Sequence, residues 1–158
     1  MSKILVTGGA GFIGSHLVRA MVKRKNEVVA FDNLSTGRKE NLQDCLDKIT
    51  FIEADIRDLE KLKEASQGVT LMYHLAAISS VPQSVDDPIT TFDINVGGTW
   101  NVLEACRVSR VKRLVFVSSA SVYGAATKVP FKESMPLRAS SPYAASKLLM
   151  ELAALNFL

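Results

Sequence analysis

The sequence predicts an α/β fold, a doubly wound parallel sheet of five strands in the order 3-2-1-4-5. Short apolar runs alternate with helical patterns along the chain, which indicates strand–helix–strand units joined by right-handed crossovers. The runs are nearly continuous, as is typical of parallel strands covered on both faces. A glycine-rich turn joins the first run to the first helical pattern, where open sheets of this kind often bind ligands.

The predicted strands are short runs rich in β-branched and other apolar residues. They cover residues 3–7, 27–31, 50–54, 70–74 and 113–118. In the predicted order the fifth strand lies at an edge of the sheet and presents a row of unpaired amides and carbonyls. We expect this edge to pair with another chain or to be covered by the final helix.

Helical patterns fill most segments between the strands. Apolar residues recur at helical spacing over residues 12–22, directly after the glycines. Residues 58–66 and 88–107 predict two further helices, for which Asp58 and Asp87 are the expected N-caps.

The remaining segments have weaker patterns. Residues 34–47 predict a loop with one helix, and residues 120–141, which are polar and contain two prolines, predict a long loop. The last helix is expected to begin at Ser141 and Pro142, an N-cap followed by proline at the first helical position. Its pattern continues to the end of the chain.

Composition predicts a globular protein and excludes several function classes. The chain has 158 residues, 47% of them hydrophobic, and a net charge of +3, which together predict one domain. Because most basic residues are scattered, we expect no nucleic-acid partner. No apolar run is long enough to cross a membrane, and the first residues do not have the pattern of a signal peptide, so we expect a cytoplasmic protein. Cys45 and Cys106 lack metal or redox spacing, and we predict no metal site.

Three glycines, Gly8, Gly11 and Gly14, form a phosphate-binding pattern between the first strand and the first helix. Glycine permits a positive φ in the tight turn, lets a pyrophosphate approach the backbone, and lets the helix pack closely on the strand. The helix N-terminus then offers free amides to phosphate oxygens. An ordinary glycine-rich turn or a site for a methyl-donor cofactor has the same local pattern. A P-loop is excluded because the Gly-Lys-Ser/Thr ending is absent.

Asp32 favours NAD among the possible nucleotides. It ends the second strand, 18 residues after Gly14, where a carboxylate accepts hydrogen bonds from both ribose hydroxyls and repels a 2′-phosphate. Arg38 lies near enough in sequence to accommodate such a phosphate, but we interpret it as a solvated loop charge. NAD is therefore predicted in preference to NADP.

Tyr143 and Lys147 stand four residues apart on the last predicted helix, hence on one face. Serines follow the fifth strand at Ser118, Ser119 and Ser121. In an open parallel sheet the ligand lies over the carboxyl ends of the strands. Taken alone, the pair also fits a half-buried tyrosine beside a solvated lysine.

With these motifs in place, the sequence resembles the extended short-chain dehydrogenase/reductase family, in its NAD-dependent sugar-nucleotide epimerase/dehydratase branch, whose cofactor domain is Rossmann-type. The matching segments run through nearly the whole chain in the order of the family. They are Thr7-Gly8-Gly9-Ala10-Gly11-Phe12-Ile13-Gly14, Asp32-Asn33-Leu34-Ser35-Thr36-Gly37, Asp55-Ile56-Arg57-Asp58, His74-Leu75-Ala76-Ala77, Asn95-Val96-Gly97-Gly98-Thr99, Ser118-Ser119-Ala120-Ser121-Val122-Tyr123-Gly124 and Tyr143-x-x-x-Lys147.

The resemblance implies a set of cofactor and catalytic residues. The implied NAD-binding residues are Gly8, Gly11, Phe12, Ile13, Gly14, Asp32, Asn33, Ser35, Thr36, Gly37, Asp55, Ile56, Leu75, Ala76, Ala77, Asn95, Tyr143 and Lys147. Ser119, Tyr143 and Lys147 would form the catalytic triad. A phenol has an ordinary pKa of about 10, so a tyrosine acts as a base near neutral pH only where nearby positive charge favours the phenolate. Ser119 would hydrogen-bond the sugar hydroxyl that loses its proton.

The same resemblance indicates the reaction. Dehydratases of the family usually carry Thr-Asp-Glu before Val-Tyr-Gly, but here Ser119-Ala120-Ser121 provides no acidic pair. This favours a 4-epimerase, in which Ser121 would either contact the substrate or serve as a structural hydroxyl. Residues 80–84 are similar to loops of UDP-sugar epimerases, so the substrate is expected to be a UDP-sugar. The alternatives are an NAD-binding module without activity and a related decarboxylase or dehydratase.

Family members are longer than this chain, which predicts that residues 1–158 are the NAD-binding domain alone. The last strands and the substrate-binding domain would then be absent. By resemblance, the helices near residues 95–107 and 143–158 form a dimer interface. We therefore expect a homodimer, formed through these helices or through the fifth strand.

Overall fold

The computed structural model describes residues 2–125 and 129–157 of the chain. These residues fall into two compact units. The first, the sheet unit, contains the chain up to Ala76 together with Asn101–Val117. The second, the helical unit, contains Ala77–Trp100 and the chain from Ser118 onward.

The sheet unit is built on five parallel strands in the order β3-β2-β1-β4-β5, as predicted. The strands are β1 Lys3–Thr7, β2 Glu27–Asp32, β3 Thr50–Glu53, β4 Leu71–His74 and β5 Arg113–Phe116. β1 is central, where Val6 is in register with Ala30 of β2 and Tyr73 of β4. Each prediction for a strand is therefore confirmed within two residues at either end.

The central strands are the core of this unit because their side chains are apolar on both faces. Leu5 and Val6 of β1 and Ala30 and Phe31 of β2 are fully buried. Burying a large apolar side chain contributes about 1.5–3 kcal/mol relative to leaving it exposed. A strand order that puts these runs at the centre is therefore strongly favoured over one that puts them at an edge.

The described residues form six α-helices, which begin close to the predicted positions or between them. They are α1 Phe12–Lys23, α2 Leu59–Ala65, α3 Val81–Asp86, α4 Pro88–Phe92, α5 Gly98–Val108 and α6 Pro142–Phe157. The predicted N-caps Asp58 and Asp87 are confirmed, since Asp58 accepts a hydrogen bond from the Lys61 amide and Asp87 accepts one from the Thr90 amide. α6 begins at Pro142 as predicted, and the Ser141 side chain caps it by accepting from the Ala144 amide at 3.1 Å.

Two predictions for helices were wrong in detail. The single helix expected over residues 88–107 is α4, a π-helical turn at Asp93–Gly97, and α5. The helix expected within residues 34–47 is replaced by two 3₁₀ turns, Lys39–Leu42 and Leu46–Lys48. α3 was not predicted, because six residues are too few for a periodic apolar pattern.

The segment at residues 120–141 begins with a 3₁₀ turn at Ala120–Tyr123. The rest of what the structure describes there forms neither helix nor strand, in agreement with the predicted loop; residues 126–128 lie outside the described residues. Within the described ranges, no helix has both the length and the apolar character to cross a membrane.

Candidate active site

The glycine turn connects β1 to α1 with very little space around it. Gly8 has a φ of +68°, and a Cβ there would lie 2.8 Å from the amide nitrogen of Ala76. A Cβ on Gly14 would lie 2.0 Å from the carbonyl oxygen of Gly8. Glycine at these two positions is therefore required by the turn itself, because any larger residue would collide with main-chain atoms.

The N-terminus of α1 has the properties of an anion site. Its N-cap is Gly11, which supplies no side-chain hydrogen bond, and the first turn has no acidic residue. Phe12 and Ile13 follow directly and are exposed although apolar. A first turn without a side-chain cap leaves amide donors and the positive end of the helix dipole available to phosphate oxygens.

Asp32, at the end of β2, is held in place by main-chain amides. Its Oδ2 accepts a hydrogen bond from the Ala10 amide at 2.9 Å, and its Oδ1 accepts one from the Leu34 amide at 2.8 Å. The residue is 7% exposed. A Cβ on Gly37 would lie 2.9 Å from this carboxylate, so the loop after β2 also packs against it. Each carboxylate oxygen can accept a further hydrogen bond, as the ribose of a dinucleotide requires.

Asn33 and Asp55 are brought together by the structure. Asn33 Nδ2 donates to Asp55 Oδ2 at 2.8 Å, and Arg57 binds the same carboxylate through Nε at 2.9 Å. The hydrogen bonds from Arg57 lower the pKa of Asp55 to about 2, with a smaller contribution from Asn33. Asn101 of α5 holds the neighbouring backbone by donating to the carbonyl of Arg57 at 2.9 Å.

The other predicted cofactor residues of the sheet unit lie on loops that follow the strands. Ser35 and Thr36 are exposed, and the Ser35 amide donates to Asn33 Oδ1 at 3.0 Å. The amides of Leu75 and Ala76 donate to the Thr7 hydroxyl at 3.2 and 3.3 Å. Ile56 is buried.

In the helical unit, Asn95 is the hub of a buried hydrogen-bond network. It lies in the π-helical turn, a form that is frequent at functional sites. Its Oδ1 accepts from the Ile78 amide at 2.8 Å, and its Nδ2 donates to the Ile78 carbonyl at 3.0 Å and to Ser146 Oγ at 2.9 Å. Asn95 therefore fixes the segment after Ala77 and one face of α6.

The first turn of α6 places Tyr143 through main-chain contacts. Its amide donates to Ser84 Oγ at 3.0 Å, and its carbonyl accepts from Ser146 Oγ at 2.8 Å. Tyr143 is buried, and so is Lys147 one turn later. The alternative of a solvated lysine is therefore wrong.

Burial changes the chemistry of Lys147. The side chain is surrounded by protein, with a residue exposure of 4%, and this desolvation lowers its pKa to about 8. Taking an ammonium group out of water disfavours the charged form. Lys147 is still mostly protonated at neutral pH, so it can provide positive charge near Tyr143, and it titrates just above that range.

Ser119 and Ser121 occupy the 3₁₀ turn that packs against α6. Ser119 is the N-cap of this turn, and its Oγ accepts from the Ser121 amide at 3.2 Å and from the Ser121 hydroxyl at 2.8 Å. Ser118 donates to the carboxylate of Glu151 on α6.

The structure thus groups the predicted residues into two sets. The sheet unit contains Gly8, Gly11, Gly14, Asp32, Asn33 and Asp55, and the helical unit contains Asn95, Ser119, Tyr143 and Lys147. Four supporting residues were not predicted from the sequence: Ser84, Arg57, Ser146 and Glu151. Arg57, Ser146 and Ser84 lie within segments that indicated the family. Glu151 continues the four-residue spacing of Tyr143 and Lys147 and could have been found from it.

Comparison with known proteins gives one consistent result. Residues 4–157 match the NAD dependent epimerase/dehydratase family. The UDP-glucose 4-epimerase of Lactobacillus helveticus is 40% identical over 151 residues, which cover 94% of this chain and 45% of that protein. The chain therefore spans about half the length of the curated relatives it matches.

Two solved structures are similar in fold and sequence. UDP-glucose 4-epimerase from Thermus thermophilus, in complex with NAD, has a TM-score of 0.90 and 42% identity, and the match covers 96% of this chain and 49% of that one. A dTDP-glucose 4,6-dehydratase from Streptomyces venezuelae, solved with NAD, has a TM-score of 0.92 and 38% identity, with 96% and 50% covered. On the strength of the family match over nearly its whole length, the chain belongs to the NAD dependent epimerase/dehydratase family.

Proposed function

We propose that this chain is the NAD-binding part, residues 1–158, of an epimerase that inverts C4 of a UDP-sugar. The observation that carries the proposal is the grouping of Ser119, Tyr143 and Lys147 in one unit, in a chain of this family. The relatives named as UDP-glucose 4-epimerases support the substrate class, since eight of them are 38–45% identical to this chain.

The residues of the sheet unit fit a dinucleotide. The Gly8–Gly14 turn leaves no room for side chains at its two ends, α1 has no side-chain cap, and Asp32 is an anchored carboxylate. Phosphates would bind at the first turn of α1 and the adenosine ribose at Asp32, with Asn33 and Asp55 near the adenine. The negative charge of Asp32 disfavours the 2′-phosphate of NADP. When bound, NAD supplies a hydride acceptor, and later a donor, for C4 of the sugar.

The residues of the helical unit would transfer the proton of the C4 hydroxyl. Ser119 donates its hydroxyl hydrogen to the C4 oxygen and so fixes the orientation of the sugar. Tyr143, as the phenolate, takes the proton of the C4 hydroxyl and returns it after the keto sugar has turned over. The ammonium group of Lys147 stabilises the phenolate by nearby positive charge.

The dehydratase activity of one similar structure is disfavoured for this chain. Elimination of water needs an acid and a base beside the sugar. The 3₁₀ turn Ala120–Tyr123, where the family places that acidic pair, carries no acidic residue here. Oxidation and reduction at a single carbon needs no such pair.

The proposal is tested by incubating the chain with NAD and UDP-glucose or UDP-N-acetylglucosamine and measuring the C4 epimers by NMR. We expect epimerisation that Tyr143→Phe abolishes, while the variant chain still binds NAD. NAD binding without any turnover would indicate a binding module only. Turnover unaffected by Tyr143→Phe would contradict the assigned role.

We also propose that two copies of the chain pair through α6. Leu149, Leu152 and Leu155 are exposed on this helix, and Trp100 and Phe157 stack edge to face at 5.5 Å. Exposed apolar groups on neighbouring turns are typical of an interface. Light scattering should give a dimer that Leu152→Glu dissociates, while Leu137→Glu, at an exposed leucine on the long loop, leaves it intact. A monomeric wild-type chain would contradict this pairing.

A further inference from the structure

We infer that Glu151 is a positioning residue for Ser119 and acts through its hydrogen bond with Ser118. The inference rests on the proposed function, because it concerns the orientation of the serine that would bind the sugar hydroxyl. Glu151 belongs to none of the motifs that predicted the site.

The geometry joins the two elements that carry the proposed catalytic side chains. Tyr143, Lys147 and Glu151 are spaced by four residues on α6 and therefore lie along one face of the helix. The Ser118 hydroxyl donates to a carboxylate oxygen of Glu151, although the two residues are 33 positions apart. Ser118 directly precedes Ser119, so one hydrogen bond ties the serine segment to the helix of Tyr143 and Lys147.

The contact has the properties of an anchor. Both partners are half-buried, and a hydrogen bond to a carboxylate is stronger than one between neutral groups. On its other side, Ser119 is held by the amide and hydroxyl of Ser121. Without Glu151, the serine segment loses this hydrogen bond to α6, and the orientation of Ser119 relative to that helix depends on Ser121 and on the packing of the turn.

Three variants separate positioning from general stability. Ser118→Ala removes the donor, Glu151→Ala removes the acceptor, and Glu151→Gln keeps an acceptor oxygen at nearly the same place. Glu104→Ala is the matched control, because it removes a helical glutamate that pairs with Arg107 at 2.7 Å on α5.

The first measurement is amide hydrogen exchange by NMR at Ser121, whose N–H donates to Ser119 Oγ. Ser118→Ala and Glu151→Ala should each raise its exchange rate about tenfold. Glu151→Gln and Glu104→Ala should leave it close to the wild-type rate. Unchanged exchange in both alanine variants overturns the inference. So does a uniform rise over the whole helical unit, since that would be a loss of stability without a local effect.

The second measurement is epimerase turnover. The two alanine variants should lower kcat by about 10- to 100-fold with little change in KM, and the double variant should be no worse than either single one. Glu151→Gln should restore most of the activity. Additive losses, or no loss, overturn the inference. Absence of turnover in the wild-type chain would count against the proposed function instead, and the exchange rates would still decide the role of Glu151.

Discussion

The hydroxyl oxygen of Ser84 accepts a hydrogen bond from the amide of Tyr143 at 3.0 Å. Ser84 lies on α3, so α3 supplies a cap for α6, the helix that carries Tyr143 and Lys147. Pro142 has no amide hydrogen and the Ala144 amide is bound by Ser141. This arrangement satisfies the first turn of α6 and fixes the peptide from which the Tyr143 side chain projects.

Ser84→Ala should therefore lower the free energy of unfolding by about 1–3 kcal/mol, because it leaves the buried Tyr143 amide without its acceptor. Ser66→Ala is the matched control. Ser66 is equally buried, but its hydroxyl donates to the Leu62 carbonyl at 2.6 Å, which also accepts the Ser66 amide. Urea unfolding should show a smaller loss of unfolding free energy for Ser66→Ala than for Ser84→Ala. Equal losses in the two variants would contradict the capping role.

Gly14→Ala should destabilise the chain by about 3 kcal/mol or more and prevent NAD binding, since the new methyl group would overlap the Gly8 carbonyl. Gly97→Ala serves as the comparison, because its Cβ would come no closer than 3.6 Å to Asp93 Oδ1. This second change should be neutral or slightly stabilising. Thermal unfolding of both variants decides the point, and a well-folded Gly14→Ala chain that binds NAD would refute the steric argument.

Lys147 predicts a dependence of stability on alkaline pH. Burial lowers its pKa from 10.5 to about 8, so between these values the unfolded chain binds more protons than the folded chain. Stability should rise with pH over that window, by roughly 3 kcal/mol from this group. Lys147→Met should lack the rise. Parallel pH profiles of the two proteins would show that Lys147 is not desolvated as described.

Asp55 predicts a dependence of stability on acidic pH. Hydrogen bonds from Arg57, and then Asn33, lower its pKa from 3.8 to about 2. The resulting stabilisation is present above pH 3.8 and is lost as the pH falls towards 2; for this partly exposed side chain it amounts to at most about 2 kcal/mol. Asp55→Asn and Arg57→Gln should both weaken the pH dependence of the free energy of unfolding at acidic pH, measured by urea unfolding. A wild-type slope in either variant would contradict the pairing.

The fold was largely predictable because the strands are local apolar runs and the helices α1, α2 and α6 have strong periodicity or clear N-terminal signals. The π-helical turn at Asp93–Gly97 could not be predicted. A helical sequence pattern does not reveal the side-chain network in which Asn95 holds Ile78. The two 3₁₀ turns after β2 are too short to produce a distinct pattern.

The candidate site was predictable where its chemistry is local. The glycines and Asp32 are identified by spacing along one strand–helix–strand unit. The supports of the helical unit depend on contacts between distant segments, such as Ser84 with Tyr143, 59 residues apart, and Ser118 with Glu151. The spacing of residues along the chain does not predict such pairs, because they come together only in the folded chain.

The proposed dinucleotide site lies at the Gly8–Gly14 turn and Asp32. Isothermal titration calorimetry measures the stoichiometry and the affinity of the chain for NAD and for NADP, and so tests this site. We predict one NAD per chain and an affinity for NADP at least about tenfold weaker, because the Asp32 carboxylate repels a 2′-phosphate. No binding of NAD, or equal affinity for the two nucleotides, would contradict it.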